Sequence, residues 1–444
     1  MMRIRERIEV QQFAASVCEH VKTGEMHKEI KAELYGHIED HVETMMMSGA
    51  SEEDAIRRAI QAMGDPTAIG KGLHAAHRPR TEWGLLILVL LLAGTGIFMM
   101  FNVDTVYKKL ENGMYGLLDK QLFFAGTGIA IMAAFWFFDY RRLKRWSELF
   151  FAAGLVLLAI SPLVAIKVNG VSAWIGIASL VIYVPRMAII LLIIGLSGMR
   201  PAYQLGWKEI ALQFIFRGLL PVILFMQMGV YTEGVIYMAA LVAVLVRMRI
   251  RWTQLVGILM AWIGLLLVTL YSSERLRDRL LSFMYAKDDP LGDGYYYTST
   301  LKAIQDGDWW GNGFSAVNDW LSYIHTDTLL PYFIYCFGWV AGGGLIAMAV
   351  SFFYRTIKVS KKAREPFGQG LTAAIAALFM VQISWSVLMI IGLAPFTGVR
   401  LPFVSFGGTN TVTDFLLLGL LLSVYRRKDI IPRGSSSTAR QAIR

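Results

Sequence analysis

The residues best suited to chemistry in this 444-residue chain are three in a row, His325, Thr326 and Asp327. They directly precede a long apolar segment, so the Asp327 carboxylate is expected where the chain enters a membrane. Ionisable groups at such a depth are costly and usually have a function or a partner. Two interpretations follow: Asp327 acts on a substrate, or it caps the helix that begins after it.

A second candidate is Arg400, the one charged residue in 395-PFTGVRLPFVSFGGTN-410. The prolines and glycines of this segment break helices, which predicts an irregular or re-entrant stretch that lines a protein-walled or watery cavity. A guanidinium group there suits an anionic phosphate. The alternative is an interfacial arginine whose charge reaches back to water.

Two histidines in the polar N-terminal region, His37 and His41, have the i, i+4 spacing of metal ligands on a helix. Because no third ligand is evident, we interpret them as a solvated helix face. Cys18 and Cys336 are expected in different environments, so no disulfide is predicted.

The elements that must position these residues are membrane helices. The chain is 55% hydrophobic and only 17% charged, with a mean hydropathy of +0.49. Apolar stretches near the ~20 residues needed to cross a bilayer recur from Trp83 onward, and uninterrupted runs such as 88-LVLLLAGTGIFMMF-101 exclude a β-barrel. The sequence predicts an all-α, polytopic protein without strands and with about ten transmembrane helices, at 83–103, 121–139, 147–166, 176–198, 209–228, 231–248, 253–272, 331–354, 371–393 and 411–425.

Residues 1–80 are expected to form a separate, soluble helical domain. Helices are predicted at 8–21, 26–47 and 51–63, the last with Ser51 as its N-cap. Gly64 and Pro66 should end it, and a short final helix leads to a break at His77–Pro79. The region resembles the HAAS or permease-prefix domains that precede several bacterial membrane proteins. Residues 81–428 would then be the membrane domain and 429–444 a cytoplasmic tail.

Charge predicts the orientation in the membrane. Basic clusters at 141–145, 247–251 and 355–364 fall on one side, which the positive-inside rule makes cytoplasmic. Both termini would be cytoplasmic, and the large loop between helices 7 and 8, Ser273–Leu330, would be extracellular. Because the net charge of +10 is concentrated beside helix ends, a nucleic-acid partner is not expected.

Three stretches carry a family resemblance: 294-GYYYTSTLKAIQDGDWWGNG-313, the HTD motif at 325–327 with Gly338 eleven residues on, and 382-QISWSVLMIIGLAPFTGVRLPFVSFGG-408. The chain resembles the SEDS family of the FtsW, RodA and SpoVE type, over roughly residues 83–428. This resemblance implies peptidoglycan glycosyltransfer: lipid II is polymerised at the plasma membrane in cell division, cell shape or sporulation, beside a membrane-anchored class B penicillin-binding protein.

The same resemblance implies the site. Asp327 would be catalytic, either as a general base or as a ligand of a divalent cation, Mg or Mn, that stabilises the leaving diphosphate. The residues implied in substrate binding are Arg400, His325, Thr326, Pro402, Ser405, Gly407 and Gly408.

The chain also departs from the family pattern. Asn312 replaces a lysine, Ser386 an asparagine and Gly229 an acidic residue, and the fourth-helix pattern survives only as 183-YVPRM-187. A non-catalytic paralogue that binds a lipid-linked precursor or a division or sporulation partner therefore stays open. A lipid or solute transporter is a second alternative, although no acid–base pairs are expected at the middle of the membrane. The sequence leaves the partner, the cellular process, the oligomeric state and the role of the N-terminal domain open.

Overall fold

The computed structural model describes residues 4–21, 27–76, 81–110, 116–168, 170–177, 180–200, 206–286, 288–290, 292 and 294–428. The predicted tail at 429–444 and the break at His77–Pro79 lie outside these residues. Chain contacts divide the protein into two compact units, Met1–Thr81 with Arg426–Arg444, and Glu82–Tyr425. The domain boundaries after residues 80 and 428 rest on the sequence and stay a prediction.

The N-terminal unit contains four helices, α1 (Ile8–Glu19), α2 (His27–Met47), α3 (Glu52–Met63) and α4 (Pro66–Ala76). As predicted, the Ser51 side chain caps α3 by accepting a hydrogen bond from the Asp54 amide. The Asp65 carboxylate accepts hydrogen bonds from the Thr67 and Ala68 amides at 3.1 Å, so α4 has its own cap. His37 and His41 are exposed on α2, as expected for a solvated face.

The first half of the second unit consists of α5 (Trp83–Lys109), α6 (Leu117–Phe137), α7 (Arg141–Lys144), α8 (Ser147–Val164), a small sheet and α9 (Val184–Ser197). Then follow α10 (Trp207–Gln213), a π-helical turn Phe214–Leu219, α11 (Leu220–Gln227), α12 (Tyr231–Arg247) and α13 (Trp252–Ser272). The chain continues through two loop helices, α14 (Glu274–Met284) and α15 (Tyr295–Gln305), to α16 (Leu329–Lys361), α17 (Pro366–Ile390) and α18 (Gly408–Arg426).

Every predicted transmembrane segment overlaps a helix of the structure. Within the described residues, eight helical stretches are long and apolar enough to span a membrane. The fourth and sixth predicted segments correspond to α9 and α12, which have 14 and 17 residues and fall below that length. Many large apolar side chains on the spanning helices are exposed, as expected for surfaces that face lipid.

The prediction of a chain without strands was wrong at one place. Residues 166–183 form a three-stranded antiparallel sheet, β1 (Ile166–Val168), β2 (Val171–Ile177) and β3 (Leu180–Tyr183), in the order β1-β2-β3. The predicted fourth helix therefore starts at Val184 instead of residue 176. A local signal was present, because an Asn-Gly dipeptide at 169–170 between β-branched residues is typical of a hairpin.

Helix α16 is broken at Gly338, whose φ of 78° is outside the helical range. A break frees backbone groups, and the loop before α16 pairs with them. The amides of Asn312 and Gly313 donate to the carbonyl oxygens of Tyr335 and Cys336 at 3.0 and 2.8 Å, and the Trp339 amide donates to the Asp308 carbonyl at 2.9 Å. The loop is thus joined by backbone hydrogen bonds to the broken helix.

Candidate functional site

A cavity of about 570 Å³ lies where α12, α14, α15, the sheet and the 395–400 segment meet. Its volume lies within the range of about 300–1,000 Å³ that is usual for ligand sites. Of the predicted site residues, Asp327, His325, Thr326 and Arg400 line it. The structure therefore brings together two motifs that are 73 positions apart in the sequence.

Asp327 is held near Gly398 in the cavity wall. The Asp327 Oδ2 atom lies 3.9 Å from where a Cβ on Gly398 would stand, which is an ordinary van der Waals distance, so the carboxylate lies beside the 395–400 segment. Thr328, not Asp327, is the N-cap residue of α16. Burial raises the pKa of the Asp327 carboxyl, against the opposing effect of Arg400 and Arg279. A raised pKa makes a carboxylate a stronger proton acceptor.

His325 and Arg400 are joined through Phe406. The Phe406 amide donates to the His325 carbonyl at 3.0 Å, and Arg400 Nη1 donates to the Phe406 carbonyl at 2.9 Å. The His325 ring contacts Tyr107, with 3.0 Å between Nδ1 and the phenol oxygen. Burial, and to a smaller extent Arg400, lower the pKa of His325 to about 4. At neutral pH the imidazole is therefore uncharged.

Four residues predicted to bind substrate do not line the cavity; they shape the turn that holds Arg400. Ser405 Oγ accepts a hydrogen bond from the Leu401 amide at 3.3 Å, and Pro402 is buried in the same turn. A Cβ on Gly407 would collide with the Arg400 guanidinium, and one on Gly408 with the Phe124 ring. Their contribution to the site is therefore indirect.

Several cavity residues were not singled out from the sequence. Tyr296 is half-buried in the wall, and its pKa is raised by burial and by the negative charge of Asp327. In the described part of the chain, several of the cavity residues have a buried polar atom that lacks a hydrogen bond: Glu233, Arg275, Gln382, Thr397, Arg400 and Asn410. Unpaired buried polar groups are rare in proteins, so their convergence on one cavity indicates a polar ligand.

A buried acid–base cluster lies at the first turns of α9 and α12, and the expectation of no such pair at the middle of the membrane stays a prediction. Arg186 on α9 is 1% exposed and lies 2.7 Å from Asp414 on α18 and 3.6 Å from Glu233 on α12. Glu233 also lines the cavity. Because the three residues are far apart in sequence and lie in apolar segments, spacing alone gave no signal for this cluster.

The predicted divalent cation finds no complete set of protein ligands. In the part of the chain that the structure describes, no group of three or more His, Cys, Asp or Glu side chains could hold a metal. Asp327 faces two arginines, and Glu233 is paired with Arg186. A cation such as Mg²⁺ is often held by one carboxylate together with substrate phosphates, and only this arrangement fits the residues present.

The fold and the site define a class: a polytopic helical membrane protein with a cavity walled by the irregular 395–400 segment and a large loop. A family model described as "Cell cycle protein", of the FtsW, RodA and SpoVE group, matches residues 83–430. The chain belongs to this family and is a multi-pass membrane protein.

Relatives in this family are named for cell-wall synthesis and sporulation. A protein of Trichlorobacter lovleyi named "Probable peptidoglycan glycosyltransferase FtsW" is 28% identical over 356 residues, which cover 77% of this chain and 92% of the relative. The "Stage V sporulation protein E" of Bacillus subtilis is 26% identical over 361 residues, 77% and 96% of the two chains.

Solved structures share the fold. A chain from a structure described as "Structural coordination of polymerization and crosslinking by a peptidoglycan synthase complex" matches with a TM-score of 0.65 and 21% identity, over 78% of this chain and 98% of that one. The rod shape determining protein RodA of Thermus thermophilus matches with a TM-score of 0.57 and 19% identity, over 78% and 97%. These likenesses concern the architecture of the membrane unit.

Proposed function

We propose that this protein is a peptidoglycan glycosyltransferase that polymerises lipid II, with the cavity around Asp327 as its active site. The observation that carries the proposal is the position of the Asp327 carboxyl, whose pKa is raised, beside Arg400 in a cavity that several buried polar atoms without a hydrogen bond line. The name of the Trichlorobacter lovleyi relative, "Probable peptidoglycan glycosyltransferase FtsW", supports the same activity.

In this mechanism, the acceptor sugar hydroxyl attacks the anomeric carbon of the donor, and the bond from that carbon to the diphosphate oxygen breaks. Asp327 accepts the hydroxyl proton, because its pKa is raised toward the working range of a general base. Arg400 donates hydrogen bonds to the departing diphosphate and stabilises the negative charge that develops on it. A Mg or Mn ion held by Asp327 and the diphosphate would supply further charge stabilisation when bound.

The test is lipid II polymerisation by the purified protein carrying Asp327→Asn. The amide keeps the size of the side chain but cannot accept the proton, so we expect activity to fall by about 10²–10⁴-fold, the range typical of general acid–base catalysis. Asp319→Asn is the matched control, since Asp319 is an exposed carboxylate of the same loop and lies outside the cavity. Activity of Asp327→Asn equal to that of the control would leave the non-catalytic paralogue as the better description.

The orientation belongs to the same proposal: the 273–330 loop faces outward, and both termini and the 355–364 segment face the cytoplasm. Asp306 in the 273–330 loop and Lys361 in the 355–364 segment are exposed, whereas both native cysteines are buried and should not react. We expect Asp306→Cys to react with an impermeant maleimide in intact cells, and Lys361→Cys only after permeabilisation. The reverse pattern would contradict this topology.

A membrane-anchored transpeptidase is the proposed partner. Polymerised strands must be crosslinked, and the similar solved complex is named for the coordination of polymerisation and crosslinking. We expect co-purification with a class B penicillin-binding protein from the native membrane. If the purified protein polymerises lipid II with no such enzyme present, the activity does not require this partner.

A further inference from the structure

The loop helix α14 directs two of its three arginines into the cavity. Arg275 and Arg279 are four residues apart, so they share one face of the helix, and both line the cavity with Leu276 and Leu280. Arg277 does not line it: this residue is 44% exposed, lies 3.9 Å from Glu274 and donates to the Tyr271 carbonyl at 2.7 Å. Helix α14 thus directs two arginine side chains toward the cavity and one away from it.

The inward pair has no anionic partner in the described part of the chain. No carboxylate there lies within ion-pair distance of Arg275 or Arg279, and the buried Nη1 atom of Arg275 has no hydrogen bond. Burial and the neighbouring Arg279 lower the pKa of Arg275. Like charges at this spacing repel each other on a helix, so the pair is better accommodated when an anion lies between them.

Two glycine turns make room for the Arg275 guanidinium. A Cβ on Gly170, in the turn before β2, would lie 3.0 Å from Arg275 Nη1, and a Cβ on Gly229, in the turn before α12, would lie 3.2 Å from it. Both glycines have positive φ, 74° and 76°, which other residues rarely adopt. The guanidinium therefore occupies a recess built by two separate turns, and this position is specified by the fold.

We infer that Arg275 and Arg279, together with Arg400 on the facing 395–400 segment, bind the diphosphate of a polyprenyl-linked glycan donor or product. A diphosphate carries several negative charges and many acceptor oxygens, which suits three guanidinium groups that form no ion pair with a carboxylate of the described residues. The apolar residues of α14 and its position directly after the spanning helix α13 favour a ligand with a lipid chain. This assignment rests on the proposed function and names the residues that hold its substrate.

The test measures ligand binding, and every variant is made in full-length protein that also carries Asp327→Asn. Because this background is expected not to turn over, a change in affinity reports on the diphosphate site and not on the chemistry. Three probes are titrated in detergent by thermophoresis: lipid II, farnesyl diphosphate and farnesyl monophosphate. We expect Arg275→Ala and Arg279→Ala each to weaken binding of the diphosphate probes by about tenfold or more. The control Arg277→Ala, on the opposite face of α14, should bind like its parent.

A second pair of variants adds charge instead of removing it. Gly229→Asp places a carboxylate beside Arg275 Nη1, whereas Gly229→Asn imposes the same backbone strain without the charge. Binding should be weaker for Gly229→Asp than for Gly229→Asn, because the new carboxylate competes with the diphosphate. Thermal unfolding of each variant checks that it is folded.

The affinities of the three probes show whether the arginines bind the donor, the released product or both. Weaker binding of lipid II alone assigns the arginines to the donor, weaker binding of farnesyl diphosphate alone assigns them to the released product, and weaker binding of both assigns them to the shared diphosphate. Affinities of Arg275→Ala and Arg279→Ala equal to that of Arg277→Ala would overturn the inference. So would a protein that binds farnesyl monophosphate as tightly as the diphosphate.

Discussion

Two clusters of charge lie close together in the membrane unit and differ in how they are balanced. In the first, Arg186 pairs with Asp414 and Glu233 inside the helix bundle, so the charges of α9, α12 and α18 offset one another. In the second, Arg275, Arg279 and Arg400 line an open cavity together with Asp327, and the other carboxylate of that cavity, Glu233, belongs to the first cluster. A cluster balanced by the protein holds helices together, whereas a cluster with excess charge is arranged for a ligand.

The largest effect on stability should come from breaking the first cluster. Arg186→Ala leaves two buried carboxylates without their cation, and removing one partner of a buried pair typically costs about 3–5 kcal/mol. Lys144→Ala removes an exposed pair with Glu365, measured at 3.2 Å, and should cost less than about 1 kcal/mol. Denaturant unfolding in a fixed detergent compares the two variants, and equal losses would show that the buried cluster is not structural.

A smaller effect concerns His325 and acid. Its folded pKa of about 4 lies below the ordinary value of 6.5, so the unfolded chain binds this proton first as the pH falls. Stability linked to His325 is complete above pH 6.5 and is lost toward pH 4, by up to about 3 kcal/mol. Asp327, whose pKa is raised, contributes in the opposite direction because the folded state then holds the extra proton.

The measurement that isolates His325 is the difference in unfolding free energy between wild type and His325→Gln as a function of pH. We expect wild type to lose stability relative to the variant between pH 6.5 and 4. A constant difference across that range would show that the imidazole titrates normally.

Among the cavity residues, the smallest effect on stability should come from Arg400→Ala. This change removes one hydrogen bond to the Phe406 carbonyl, worth about 1 kcal/mol of stability. Polymerisation should fall about tenfold, equivalent to about 1.4 kcal/mol, since Arg275 and Arg279 still face the diphosphate. Arg400→Lys should recover part of the rate. Severe unfolding of Arg400→Ala would mean that the second cluster, like the first, serves the fold.

Much of the architecture was predictable because a bilayer imposes long apolar helices. Asp327 was also recognisable because it directly precedes an apolar run, and Arg400 because it is the one charge in an irregular segment. The sheet at 166–183 was missed because its strands are as apolar as a helix. Arg186, Glu233 and Asp414 were missed because only tertiary packing brings them together. The inward direction of Arg275 and Arg279 depends on how α14 lies against two glycine turns.

The break at Gly338 has a mechanical consequence. A Cβ on Gly338 would collide with the Trp309 backbone, so loop and helix are in direct main-chain contact as well as hydrogen-bonded. The nine residues of α16 before the break, Leu329–Phe337, follow directly after Asp327 and Thr328. A displacement of the 308–313 loop would therefore be transmitted to Leu329–Phe337 through backbone hydrogen bonds and not through side-chain packing alone.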